Sequence, residues 1–219
     1  MSTNKNQVIA SGAEGTVYKK SVAVKKSKNN LTTEYNINKV VYKVDPLHIS
    51  HPLFVTENHK QLYMNFINSK NLNHIVGFGY ILTVAQTLRK IQIRYPSFRH
   101  NDLHSKNVVI NKLTNEPVII DFGFSDMNEV PNPKVRDGAY KDEWGIYPGN
   151  NKSYDIHFFL NSLYTGAKNN KQLKKLIEQL LPAKYLGYSN KFVHNFRLRT
   201  GVRHSELPSL SKIIFLLTH

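Results

Sequence analysis

The sequence predicts an α+β fold in two lobes, strand-rich over 1–70 and helix-rich over 71–219, together forming a single domain. Three observations predict it. Short strand patterns and hairpins dominate up to Asn68–Asn71, and apolar residues at helical spacing dominate beyond it. The 219 residues, 40% of them apolar, are enough to bury a sizeable core. Apolar and aromatic side chains are spread along the whole chain, which argues against disorder.

In order, "VIASGAEGTVYK" and "VAVK" read as strands joined by a tight "KKS" turn within residues 8–25. A helix is expected over 32–44, with Thr32 or Thr33 as N-cap and Ile37, Val40, Val41 and Val44 on one face. "LFVTENHKQLYMNFI" reads as a hairpin turning near Asn58 and His59. A long helical run over 74–95 is ended by Pro96, and "NVVINKLTNEPVIID" forms a second hairpin. "SYDIHFFLNSLY" is a very apolar helix closed by Gly166. "KQLKKLIEQLL" is amphipathic through Leu173, Leu176, Ile177, Leu180 and Leu181, and Pro182 stops it.

Composition excludes several classes. No apolar run approaches the roughly 18 residues of a bilayer span, and the polar start "MSTNKNQ" has no signal core, so a soluble intracellular protein of cytoplasm or nucleus is expected. The chain has no cysteine, hence no disulfide, thiolate metal site or catalytic thiol. Net charge is +15, and from Ile156 onward ten Lys/Arg face only Glu178 and Glu206. That basic C-terminal region suits an acidic protein, nucleic acid or an anionic surface, and equally a solvated face.

The chemistry-bearing residues fall in separated motifs. Gly12 and Gly15 stand three apart between strands, where glycine lets backbone N–H groups approach a phosphate. In "VAVK" alternation puts Ala23 and Lys25 on one face, a small residue beside an ammonium, as a flat base with phosphates further out requires. Glu34 lies about 20° from Val41 around its helix. It therefore borders the apolar stripe and needs a cation, for which Lys25 is the candidate. In "HNDLHSKNVVI", Asp102 precedes Asn107 by five residues, and antiparallel pairing of the second hairpin brings Asn107 beside Asp121. An amide and a carboxylate oxygen there suit a hard cation such as Mg²⁺, with Asp102 nearby to accept a hydroxyl proton. His100 and His104 lack the neighbouring Glu of a metalloprotease motif and read as structural.

These motifs resemble, in order, those of the eukaryotic-type protein kinases from about Val8 to Leu181, more than three quarters of the chain. Gly12, Gly15 and Val17 match the glycine-rich loop, with Ala10 in place of its first glycine, and Lys25 matches the phosphate-holding lysine. Glu34 matches that lysine's helix partner. Asp102 matches the catalytic aspartate, Asn107 the metal-binding asparagine, Asp121-Phe122-Gly123 the Asp-Phe-Gly motif, and Asp155 the aspartate anchoring the catalytic loop. "LYMNFIN" resembles the hinge segment, which implies adenine contacts from Met64, Asn65 and Phe66. "DLHxxN" is nearest to haspin-like, lipopolysaccharide-core and aminoglycoside kinases, and the shortened plan, with 37 residues after Pro182, is similar to the small kinases of large DNA viruses.

The resemblance implies a protein kinase acting on Ser/Thr hydroxyls in proteins, using ATP with Mg²⁺ or Mn²⁺. Lys106 then stands where it can neutralise the transferring phosphoryl, because His104 replaces the usual lysine. A small-molecule kinase of the aminoglycoside type and a nucleotide-binding pseudokinase scaffold stay open as alternatives. Asn101 replaces the arginine that binds an activating phosphate in many protein kinases. The segment Phe122–Pro148 has no threonine, and its one serine is Ser125. An enzyme active without phosphorylation is therefore expected.

Overall fold

The computed structural model describes the backbone of residues 7–12, 15–19, 22–72, 77–149 and 151–219, with side chains from Val22 onward. Strands β1 (Gln7–Gly12), β2 (Gly15–Lys19) and β3 (Val22–Lys26) are followed by helix α1 (Thr32–Tyr42), β4 (Pro52–Val55) and β5 (Gln61–Asn65). The five strands form one antiparallel sheet in the order β1-β2-β3-β5-β4. Ala13-Glu14 at the tip of the glycine segment and Lys20-Ser21 in the "KKS" turn lie outside the described residues. The β4–β5 turn falls where expected, with His59 at φ 58° and its N–H donating to the Thr56 carbonyl at 2.8 Å.

Helix α1 starts differently from its sequence signal. Leu31 occupies the N-cap position without a side-chain cap, and Asn30 Oδ1 takes the Thr32 N–H at 2.8 Å. Thr32 Oγ1 bonds His59 instead, at 2.9 Å. The buried stripe is Glu34, Ile37, Asn38 and Val41, whereas Val40 and Val44 are only partly covered. The loop after α1 is fastened on both sides. Ser50 N–H donates to the Ile119 carbonyl at 3.0 Å, and Ile119 N–H to that of His48 at 2.8 Å. The buried Asp45 carboxylate takes Thr87 Oγ1 at 3.1 Å, Lys90 Nζ at 2.9 Å and His48 Nδ1 at 2.8 Å.

Beyond Asn65 the chain passes into β6 (Ser69–Asn71), then α2 (Phe78–Arg94), a 3₁₀ turn at Ser105–Asn107, β7 (Val108–Asn111) and β8 (Pro117–Ile119). A second sheet runs β6-β7-β8. The β7–β8 hairpin was expected. The edge strand β6 was not, because Ser-Lys-Asn shows no apolar alternation and pairs through its backbone alone. Residues 74–76 of the expected 74–95 helix lie outside the described residues.

Short helices α3 (Pro133–Arg136) and α4 (Lys141–Trp144) lead to α5 (Tyr154–Gly166), α6 (Lys171–Leu180), a hairpin of β9 (Val193–His194) and β10 (Arg197–Leu198), and α7 (Leu210–Thr218). The main core joins Ile37 and Val41 of α1 to α2, α5, α6, β7, β8 and α7, with α7 packed on α2. Among the described residues no helix is long and apolar enough to cross a membrane. At least four of the ten Lys/Arg from Ile156 onward are engaged within the chain. Arg197 is buried, Lys184 pairs with Glu206, Arg199 Nε donates to the Asn190 carbonyl at 2.8 Å, and Lys174 lies over the Tyr164 ring.

His157 of α5 gives the fold an acid limit. It is fully buried, and its Nε2 donates to the Tyr185 carbonyl at 2.7 Å. Burial holds its pKa down at about 4, against the opposing effect of that hydrogen bond. Because the folded pKa lies below the unfolded one, the unfolded chain binds the proton first. The stability from neutral His157 is full above about pH 6.5 and is lost as pH falls towards 4. The loss is at most about 3 kcal/mol at about 1.4 kcal/mol per pH unit. Denaturant unfolding followed between pH 7 and 4 should show this dependence, and His157→Gln should flatten it; an unchanged slope in the variant would contradict the assignment.

Candidate active site

The site is assembled where β3, α1 and the end of β8 meet. Within β3, Lys25 is 4% exposed while Lys26 points outward and is exposed. Lys25 Nζ lies 3.0 Å from each Glu34 carboxylate oxygen and 2.9 Å from Asp121 Oδ1. Burial disfavours the Lys25 ammonium, but Glu34 and Asp121 outweigh it and raise its pKa above the ordinary lysine range. Burial also raises the Glu34 pKa, opposed by Lys25. At Asp121 burial is overcome by Lys25, and the pKa falls.

Asp121 follows β8 with φ 62°, a left-handed conformation that Asp tolerates better than most residues. Its Oδ1 also accepts the Gly123 N–H at 3.2 Å. A Cβ on Gly123 would meet Asp121 Oδ1 at 3.3 Å, Glu34 Oε2 at 3.4 Å and Lys25 Nζ at 3.5 Å, so glycine lets this backbone lie against the charged trio. Across the sheet, Val17 is in register with Lys25 and Ala23 with Met64. Asn65 donates its N–H to the His51 carbonyl at 3.0 Å, and Phe66 is half-buried just beyond it. Ala10, Gly12, Gly15 and Val17 are placed by backbone alone, in β1 and β2.

The loop carrying Asp102 is held from beneath by Asp155, whose two oxygens accept the His100 and Asn101 N–H groups at 2.8 Å each. His100 packs its ring on Phe122, centroids 5.0 Å apart, and donates Nε2 to the Ile120 carbonyl at 3.2 Å. Both are structural roles. Asn107 Nδ2 reaches back to the Asp102 carbonyl at 2.8 Å and to Oδ2 at 3.2 Å. The Ile120 N–H donates to the Asn107 carbonyl at 3.0 Å, which sets Asn107 beside the β8 end that carries Asp121.

Lys106 is exposed on the 3₁₀ turn, and its N–H donates to His104 Nδ1 at 3.1 Å. A cation that touches Asp102 is Arg197 of β10, whose Nη2 donates to Asp102 Oδ1. Sequence reasoning missed it, because 95 residues separate the pair and the only local signal is one arginine between Phe196 and Leu198.

The segment after Asp121 is tied by uncharged and internal contacts. Asn101 Nδ2 donates to the Phe124 carbonyl at 3.0 Å. Ser125 is fully buried, and its Oγ donates to the His100 carbonyl at 3.3 Å. Asp126 takes Arg136 Nε at 3.0 Å and the Asn132 N–H at 2.8 Å, while Asn132 Nδ2 donates to the Gly123 and Ser125 carbonyls at 3.1 and 2.8 Å. Phe124, Val135 and Ile146 pack together beneath Tyr140 and Trp144.

The donor set fits a divalent cation of the Mg²⁺ type. Asn107 commits its nitrogen to Asp102 and keeps an amide oxygen, and Asp121 commits Oδ1 to Lys25 and Gly123 and keeps Oδ2. Two hard oxygen donors suffice where phosphates and water complete the shell.

A family model described as poxvirus serine/threonine protein kinase matches residues 98–216, just over half the chain. The matched part contains Asp102, Asn107, Asp121, Asp155 and Arg197, and Lys25 and Glu34 precede it. No curated protein matches the chain.

Proposed function

The chain belongs to the poxvirus serine/threonine protein kinase family, and on that premise we propose that it transfers the γ-phosphoryl group of ATP to Ser/Thr hydroxyls of proteins. The observation that carries this reading is the pair of constellations at adjoining strand ends: Lys25–Glu34–Asp121, and Asp102 braced by Asn107. Lys25, oriented by Glu34, holds the phosphates. Asn107 and Asp121 hold Mg²⁺ or Mn²⁺, which when bound neutralises phosphate oxygens. Asp102 orients the acceptor hydroxyl and takes its proton. The first sheet and α1 would form the smaller lobe, residues 1–70, with the base of the nucleotide lying between Ala23 and Met64-Asn65-Phe66 and its phosphates under Gly12 and Gly15. The 33 residues between Asp121 and Asp155 give a platform for a polypeptide acceptor.

Purified chain with labelled ATP and Mg²⁺ should label serine or threonine in a mixed peptide library. Labelling of sugars or choline without any protein would favour the small-molecule reading, and nucleotide binding without turnover the scaffold.

The same enzyme is active as made. Asn101 holds the segment through a neutral hydrogen bond, the Asp126–Arg136 pair supplies an ionic tie from within, and the buried Ser125 is closed to a modifying kinase. Chain expressed in bacteria, stripped with phosphatase and freed of it, should show full initial rates without a lag. A lag abolished by prior autophosphorylation, or by Ser125→Asp, would sink the idea.

A further inference from the structure

The catalytic loop lacks a cation of its own at Asp102. Asn101 precedes the aspartate, His104 stands two after it with Nε2 3.8 Å from Asp102 Oδ2, and the Lys106 side chain is exposed. At 3.8 Å that contact is longer than a hydrogen bond, so His104 does not fix the Asp102 carboxylate.

Arg197 occupies the vacancy from the far end of the chain. It is 8% exposed, donates Nη2 to Asp102 Oδ1, and donates Nη1 to the Asn101 carbonyl at 2.6 Å and to Tyr154 Oη at 3.1 Å. Its guanidinium carbon lies 4.1 Å from the centre of the Phe158 ring. The β9–β10 hairpin that carries it turns at Asn195 and Phe196 with φ 48° and 66°. A left-handed phenylalanine is costly, and such conformations persist where the surroundings enforce them. Here Asn161 of α5 enforces it, donating Nδ2 to the Phe196 carbonyl at 2.9 Å.

We propose that Arg197 is a positioning residue for phosphoryl transfer, supplying from the C-terminal hairpin the cation that the catalytic loop lacks. The inference rests on the kinase reading. The acceptor oxygen bonds to the γ-phosphorus, the bond from that phosphorus to the bridging oxygen breaks with its electron pair leaving on ADP, and the hydroxyl proton passes to Asp102. Arg197 on Oδ1 and Asn107 on Oδ2 fix the carboxylate plane throughout, and the guanidinium balances charge beside the moving phosphoryl group.

The test compares Arg197→Gln and Arg197→Lys with wild type, measuring kcat, the KM for ATP and the KM for an acceptor peptide taken from the labelled library, with thermal unfolding as the folding check. Arg197→Gln should lower kcat about 10²-fold, leave the KM for ATP within about 3-fold, and regain part of kcat when methylguanidine is added. In an Asp102→Ala background the same substitution should cost almost nothing more, because the two residues act as a unit. Arg197→Lys keeps the charge but not the planar fork, and should recover part of the loss, to within about 10-fold of wild type. Wild-type kcat in folded Arg197→Gln would overturn the proposal. So would a folded Arg197→Lys slowed by about 10²-fold or more from wild type, which decides the matter if Arg197→Gln does not fold. A wild-type chain that phosphorylates nothing would overturn the kinase reading itself, whereas an active wild type with an indifferent Arg197 would overturn this proposal alone.

Discussion

Asp102→Ala is expected to slow phosphoryl transfer by about 10³-fold while leaving nucleotide affinity nearly unchanged. The separation follows from geometry. Asp102 touches Arg197 and Asn107, whereas the candidate phosphate-holding trio of Lys25, Glu34 and Asp121 is bonded within itself. The substitution leaves Arg197 buried without its carboxylate partner, so a clear fall in thermal stability should accompany the kinetic loss. Single-turnover rates with labelled ATP, read beside nucleotide binding by calorimetry, separate the two effects. Near-normal turnover would remove Asp102 from the chemistry. A matching collapse of nucleotide affinity would move it to the phosphate side of the site.

Lys25→Met should be the most damaging change in the first sheet, for two reasons that a double variant can part. The ammonium is the cation facing both Glu34 oxygens and Asp121 Oδ1. Its loss should cut turnover by orders of magnitude and raise the KM for ATP. Glu34 is 6% exposed, so it then becomes a buried carboxylate without its counter-charge. Breaking such a pair from one side costs about 3–5 kcal/mol. Adding Glu34→Gln should recover most of that stability and none of the activity. Recovery of neither would mean that methionine itself does not pack beside Gly123, and recovery of turnover would show that Lys25 acts only as a structural counter-ion.

What was legible in the sequence follows the range of the forces involved. The inward turn of Lys25 and Glu34 could be read because strand and helix periodicities are local, and because a carboxylate beside Val41 demands a cation. The Asn107–Asp121 neighbourhood could be read because one antiparallel hairpin creates it. The cap of α1 was misplaced by two residues or less, because Asn30 competes with Thr32 and Thr33 for the same N–H groups and Thr32 has a better partner in His59. Strand β6, helices α3 and α4 and the β9–β10 hairpin carry too few residues for any period to emerge. Arg197 was hidden for a different reason. Nothing in "NFRLRT" distinguishes the arginine that folds inward from Arg199, which bonds the Asn190 carbonyl near the surface.

The pairing of Asp102 with Arg197 also imposes an order in time. A ribosome adding about 5–20 residues per second needs roughly 5–20 s to travel the 95 positions between them. Throughout that interval the emerging polypeptide already contains the whole of its first sheet and the acidic half of the pair, but the guanidinium has not yet been made. On the role proposed for Arg197, a chain still being made should transfer phosphoryl groups about 10²-fold more slowly than the finished one, because the last hairpin has first to be synthesised and to close over α5.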